Sequence, residues 1–105
     1  MRTHRVRFRP MAEADLLELY DYIAENDGHK IAGGYIDRIE AVCLALETFP
    51  ERGTRRDDIR SGLRTMGFER RATIVFRVDE TNVEIIRVFY GGQDFEHALR
   101  VQGDA

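Results

Sequence analysis

Few side chains in this sequence are equipped for chemistry: His4, His29, His97, Cys43, and a basic set of fifteen arginines with the single lysine Lys30. A bound metal needs three or four ligands at short recurring spacings, and the histidines share none with one another or with Cys43, so no metal site and no cofactor are expected. Cys43 falls in a helical apolar pattern, where it reads as a small buried side chain and not as a nucleophile. That leaves arginine, whose planar fork binds carboxylates and phosphates. Arg52, Arg55, Arg56, Arg60, Arg64, Arg70 and Arg71 crowd the middle of the chain, whereas acids dominate from Glu13 to Glu51. With a net charge of −3 and a pI of about 5.6 the chain is no generic polyanion binder. Most of the crowded arginines read as a solvated loop beside an acidic helix face, and any that act suit a partner protein bearing acids.

Two arginines stand apart because of their place. Arg87 lies among Ile86, Val88 and Phe89 in a strand-like run, where a charge must be paired or lie under something that covers it. Arg64 opens an earlier run, to pair with an acid across a sheet or to face a target. Between the last strand-like run and the C-terminus, Gly91, Gly92, Gln93 and Asp94 form a turn suited to contact residues on a rigid scaffold. It lacks the Gly-Lys-Ser/Thr ending of a nucleotide loop.

The elements that must hold these residues can be read from the apolar periodicity. Residues 4 to 9 alternate as a short edge strand that Pro10 ends. From Pro10 or Met11 a helix carries Ala12, Leu16, Leu19, Tyr20 and Ile23 on one face, with Glu13 and Asp15 near its positive end. Asn26-Asp27-Gly28 is a turn in which Asp27 is expected to cap the second helix, Lys30 to Thr48, whose stripe is Ala32, Tyr35, Ile36, Ile39, Val42, Cys43 and Leu46. Gly33-Gly34 is placed in a frayed first turn of that helix, since each glycine costs about 1 kcal/mol in a helix interior. The polar run from Arg52 to Gly62 reads as loop. Strands follow at 63 to 68, 72 to 78 and 83 to 90, the last two joined by Asp79-Glu80-Thr81-Asn82 and apolar enough to be covered partly on both faces. The pattern leaves open whether 94 to 101 is a short helix or a loose tail. The whole is a β-α-α-β-β-β chain of the α+β class: one domain of 105 residues, an antiparallel sheet packed against an antiparallel helical hairpin. With 43% hydrophobic residues, no signal-like N-terminus and no stretch long enough to span a bilayer, a folded cytoplasmic protein is expected.

The order and spacing of Arg9-Pro10, Asp15-Leu16-Leu17, Tyr22-Ile23-Ala24, Phe49-Pro50, Gly62-Leu63-Arg64, Ile74 to Val78 and Val83 to Val88 resemble the RelE/ParE toxin superfamily, in its ParE branch, over essentially the whole chain. The resemblance implies a small toxin held in a hetero-oligomer by a ParD-like antitoxin that wraps it and alone binds operator DNA. It also implies DNA gyrase as the target, stalled with its DNA cleaved, so that the chain needs no catalytic residue of its own. The RelE branch instead cuts messenger RNA on the ribosome. It resembles this chain in fold but carries an arginine early in the third strand, another after the last strand, and a tyrosine or histidine near the C-terminus. Those groups serve proton transfer and a charged phosphorane. Here the three positions fall at Thr73, Gln93 and near Leu99, with His97 close by as a surface histidine. ParE relatives commonly show Gly-x-Arg-Asp where this chain has Gly91-Gly92-Gln93-Asp94.

On this basis Arg64, Arg87, Gly91, Gly92, Gln93 and Asp94 are the candidates for target contact. Leu17, Tyr22, Ala24, Tyr35 and Phe95 are the candidates for an antitoxin groove between the helical hairpin and the sheet. The readings to be separated are a gyrase-directed toxin, a ribosome-dependent endoribonuclease, and a degenerate toxin that only binds its antitoxin.

Overall fold

The structure is a computed structural model that describes residues 4–102. Met1 to Thr3, on which the expectation of a leader-free N-terminus partly rests, lie outside the described residues. The elements are β1 (Arg5–Phe8), α1 (Pro10–Asp27), α2 (His29–Leu44) with a 3₁₀ turn (Ala45–Glu47), β2 (Thr54–Arg55), β3 (Leu63–Phe68), β4 (Ala72–Val78), β5 (Asn82–Tyr90) and α3 (Phe95–Gln102). The five strands form one sheet in the order β1-β5-β4-β3-β2. All neighbours are antiparallel except β1, which pairs with β5 in parallel, Arg5 beside Asn82 and Phe8 beside Ile85. The α+β class, the helical hairpin and the edge position of β1 stand as the sequence predicts.

Burial explains the layering. Ala12, Leu16, Leu19 and Ile23 of α1 and Ala32, Tyr35, Ile39 and Cys43 of α2 meet Phe68, Ala72, Ile74, Phe76, Val83, Ile85 and Val88 on one sheet face. On the other face Leu63, Val75, Ile86 and Phe89 pack beneath Leu99 of α3, with Ile59, Phe95 and Ala98 around them. The central strands are therefore covered on both faces, and the segment whose form the pattern left open is a helix because Leu99 and Phe95 give it an apolar side to bury.

Several local expectations are corrected. Asp27 does not cap α2: α1 runs through it, and Gly28 at φ 95° makes the corner, a conformation only glycine adopts without strain. Gly33 and Gly34 lie in the body of α2, not in a frayed first turn, and a Cβ at Gly33 would meet no other element within 4 Å. The regular helix ends at Leu44, short of Thr48. Within the predicted loop, Thr54 and Arg55 form β2 against Thr65 and Arg64.

Most of the loop that follows is not a free solvated run. Arg56 grips Asp58 through Nε and Nη2, both at 2.9 Å, also pairs with Glu96 of α3, and lies over the Phe95 ring. Arg60 Nη2 donates to the Leu99 carbonyl at 2.9 Å, and Arg100 reaches Asp58 at 3.3 Å. These bonds staple α3 to the loop between β2 and β3.

Candidate functional site

β5 positions most of the candidates. Its register with β4 slips at Ile86, an extra residue between the pairs Phe76–Ile85 and Val75–Arg87. This bulge resets the alternation, so that Ile85 and Val88 face the helices while Ile86 and Phe89 face α3. Unbroken alternation would have put Arg87 on the helix-facing side with Ile85. Instead its guanidinium lies 4.6 Å from the Phe89 ring centre and pairs with Asp15 of α1, Nε to Oδ2 at 2.8 Å and Nη2 to Oδ1 at 3.1 Å, both side chains 12% exposed. Of the two roles open to Arg87, the salt bridge is the one in place.

β1 ends at Phe8, and Arg9 N–H takes the Ile85 carbonyl, so the flank of β5 beyond that point has no neighbouring strand. Side chains stand in for one. Asp15 Oδ2 accepts the Val88 N–H at 2.8 Å, and Gln93 Oε1 accepts the Tyr90 N–H at 2.7 Å. Gly91 turns the chain at φ 67°, and Asp94 Oδ1 accepts the His97 N–H at the start of α3. Asp15, Tyr22, Tyr90, Gly91, Gly92 and Gln93 thus border a groove of about 360 Å³. Arg64 is remote from it, half-buried on β3 and donating to the Arg52 carbonyl at 3.3 Å.

The antitoxin candidates do not share one groove. Leu17, 69% exposed, borders a separate groove of about 340 Å³ with Phe8, Leu16, Tyr20 and Ile36, rimmed by Glu13 and Glu40. Tyr22, 56% exposed, belongs to the β5 groove, and Ala24 packs against the core. Phe95 is on the opposite face of the sheet. Tyr35 is a core residue, 6% exposed. Spacing on a helix places Leu17 off the stripe but cannot say that Leu17 and Tyr22 border different grooves.

At the RelE-type positions Thr73 is half-buried in β4, Gln93 caps a backbone amide, and Leu99 is buried under the sheet. Neither a cation nor a proton-transfer group occupies any of the three. Cys43 is 1% exposed, and burial pushes its thiol up to about 12, far from a nucleophile's range.

One cluster was hidden in the sequence. The β3–β4 turn places Glu69 at φ 47° and Arg70 at φ 61°, and Glu69 is clamped by Arg38, Nε at 2.8 Å and Nη2 at 3.0 Å. Arg71, next in line, is fixed through its backbone to Phe68 and Gly91 and hydrogen-bonds the Tyr90 side chain. The Tyr90 ring meets Tyr22 at 5.5 Å and Tyr35 at 6.1 Å, both edge-on. The Tyr35 hydroxyl is buried without a hydrogen-bond partner, and burial, then the Tyr90 and Glu69 charges, push it up to about 12. Arg71 and Tyr90 had looked like members of a charge run and a strand end.

The family model described as "ParE toxin of type II toxin-antitoxin system, parDE" matches residues 6–95. The chain belongs to the ParE toxin family. Toxin ParE3 of Caulobacter vibrioides is 35% identical over 86 residues, 82% of this chain and 84% of that protein. In fold the chain is similar to a structure of the chromosomal ParDE system of P. aeruginosa, with TM-score 0.75 and 24% identity over 87% of this chain and 99% of that one. It is also similar to one of the RelBE2 toxin-antitoxin complex of Mycobacterium tuberculosis, with TM-score 0.62 and 22% identity over 89% and 97%. No helix among the described residues of this ParE chain is long and apolar enough to cross a membrane.

Proposed function

We propose that this ParE chain acts by binding: it holds DNA gyrase in its cleaved-DNA state, contributes no catalytic residue, and is neutralised by a ParD-like antitoxin that alone contacts DNA. The observation that carries the reading is the filling of the three RelE-type positions. A half-buried threonine, an amide-capping glutamine and a core leucine offer neither positive charge to a phosphorane nor a proton relay. The net charge of −3 also favours a protein target over a ribosome. A stalled enzyme needs only differential affinity for one state of its cycle. For the antitoxin, the support is that the structural neighbours come from a ParDE system and a RelBE2 toxin-antitoxin complex, together with the exposed Leu17 and Tyr22, apolar surface suited to burial under a partner.

The test is a cleavage assay of purified gyrase on supercoiled plasmid, trapped with detergent, with and without the antitoxin. Antitoxin-reversible linear DNA is expected. Growth arrest on expression without linear DNA would sink the gyrase target and direct the search to messenger-RNA cleavage on ribosomes; no arrest at all would leave an antitoxin-binding module.

A further inference from the structure

β1 has a neighbour on one side only. It stands at the end of the sheet, and the Arg5 and Arg9 N–H groups donate inward to the Thr81 and Ile85 carbonyls, both at 2.9 Å. Main-chain groups along a strand alternate in direction, so the N–H and C=O of Val6 and Phe8 point away from β5. The flank is closed at its start, where the His4 N–H donates to the Glu47 carbonyl at 2.8 Å. From Val6 to Phe8 no strand of the described residues lies beside it. Such an edge is a template for a strand from another chain.

The two sides of this flank differ in chemistry. On the helix side a hollow of about 620 Å³ joins Val6 to Leu44, and the groove of about 340 Å³ joins Phe8 to Leu17 and Ile36. Ile36, Glu40 and Leu44 follow one another at single turns of α2, which sets both hollows along one ridge. Leu17 and Leu44 are 69% and 54% exposed. On the opposite side stand Arg5 and Arg7, both exposed, two residues apart and hence about 6.6 Å from each other along the strand. Arg9, the next in that series, is already paired with Glu84 at 2.6 Å.

We propose that the outer flank of β1 receives an extended segment of the antitoxin as an added strand, its acids facing Arg5 and Arg7 and its apolar side chains facing Leu44 and the Leu17 groove. The inference rests on the antitoxin reading above and adds the form and the residue pattern of one contact. Period favours it: an added strand repeats every two residues as β1 does, so alternate acids meet alternate arginines while the residues between them turn to the leucines. Register favours it as well. A slip of one residue would set the acids against Glu13 and Glu40, which rim the Leu17 groove, and leave the apolar side chains beside the arginines. A second copy of this chain fits poorly, because β1 paired antiparallel with another β1 opposes arginine to arginine. A nucleic acid could use Arg5 and Arg7 but would leave the outward amides and the exposed leucines uncovered.

The experiment combines amide hydrogen exchange and calorimetric titration of this chain with its ParD-type antitoxin. On complex formation the Val6 and Phe8 amides should slow, whereas those of Arg5 and Arg7, bonded to β5 from the start, should change little. Arg5→Glu with Arg7→Glu, both at exposed positions, is expected to weaken binding by about tenfold, and replacing the facing antitoxin acids by arginine should restore it. Val6→Pro removes an outward N–H while leaving the bonds to β5 intact, and should weaken binding by about tenfold or more against a smaller effect of Val6→Ala, the packing control. Melting temperatures of the free variants show that each is folded. If the wild type binds no antitoxin, both readings fall. If it binds, yet the Val6 and Phe8 amides stay unprotected and the double charge reversal binds equally well, the added strand falls and the antitoxin reading stands. Protection of Val6 and Phe8 that rises with the concentration of this chain alone would overturn the choice of occupant in favour of a second copy, and tighter binding of a single-stranded oligonucleotide than of the antitoxin, lost in the double charge reversal, would overturn it in favour of nucleic acid.

Discussion

Asp15→Ala removes two things at once: the carboxylate gripping Arg87 and the acceptor for the Val88 N–H. Removing one partner of a buried pair costs about 3–5 kcal/mol, most of it the penalty of leaving the other charge uncompensated. Here the side chains keep 12% exposure and Arg87 retains the Phe89 ring at 4.6 Å, which places the pair at the low end. With the orphaned amide adding about 1 kcal/mol, the expected loss is about 4 kcal/mol. At about 4 °C or more per kcal/mol for a domain of this size, the melting temperature should fall by at least about 16 °C. Urea unfolding gives the free energy, and hydrogen exchange at Val88 tests the second contact directly. The paired replacement Asp15→Leu with Arg87→Leu should recover most of the loss, because apolar side chains of similar volume can replace a buried ion pair at little cost. A loss below about 1 kcal/mol, unchanged exchange at Val88, or a double variant no more stable than the singles would refute the reasoning and make the pair an ordinary surface bridge.

Three further outcomes are expected. Glu69→Asn with Arg70→Gly relieves two residues held at positive φ in a hairpin turn, and urea titration should show about 1–2 kcal/mol of added stability; a loss would mean that the Arg38–Glu69 clamp outweighs the strain. The Asp58 carboxyl is held at about 2, first by its hydrogen bond with Arg56. Because that value lies below the ordinary 3.8, the contribution is full above pH 4 and is lost as pH falls toward 2, so amide protection of α3 should decline across that window and decline less in Asp58→Asn. Cys43 should resist a thiol reagent at pH 8 and react at the rate of global unfolding, with prompt labelling of the native chain as the contrary result.

The parts of the fold that could be read from sequence are those with a period. The stripes of α1 and α2 made their faces visible because burial there repeats about every 3.6 residues, and the apolar content of β4 and β5 marked them as strands covered on both faces. β2 escaped because two residues cannot show alternation, and the parallel pairing of β1 escaped because pairing partners leave no local trace. Arg87 was legible as an anomaly, a charge in an apolar run, yet its partner Asp15 looked like a dipole-complementing acid of the first helical turn. Gln93 was visible as a departure from a family pattern; its role as the acceptor for Tyr90 N–H depends on a turn geometry that no spacing encodes. The Arg71 cluster gathers residues from α1, α2, the β3–β4 turn and the end of β5, and only tertiary contact brings them together.

The parallel seam between β1 and β5 sets a timetable. Synthesis delivers β1 and α1 first, and the α1–α2 hairpin can close on local contacts as it emerges. Yet β1 has no neighbour until Asn82–Ile85 are made, and Asp15 has no Arg87 until two residues later. At about 5–20 residues per second the first strand waits several seconds for the last. Every earlier intermediate lacks the strand that joins β1, β4 and α1, so a ribosome interrupted before β5 releases a chain with neither the groove nor the turn. Completion of β5 is therefore the step that joins the sheet and, with it, the groove.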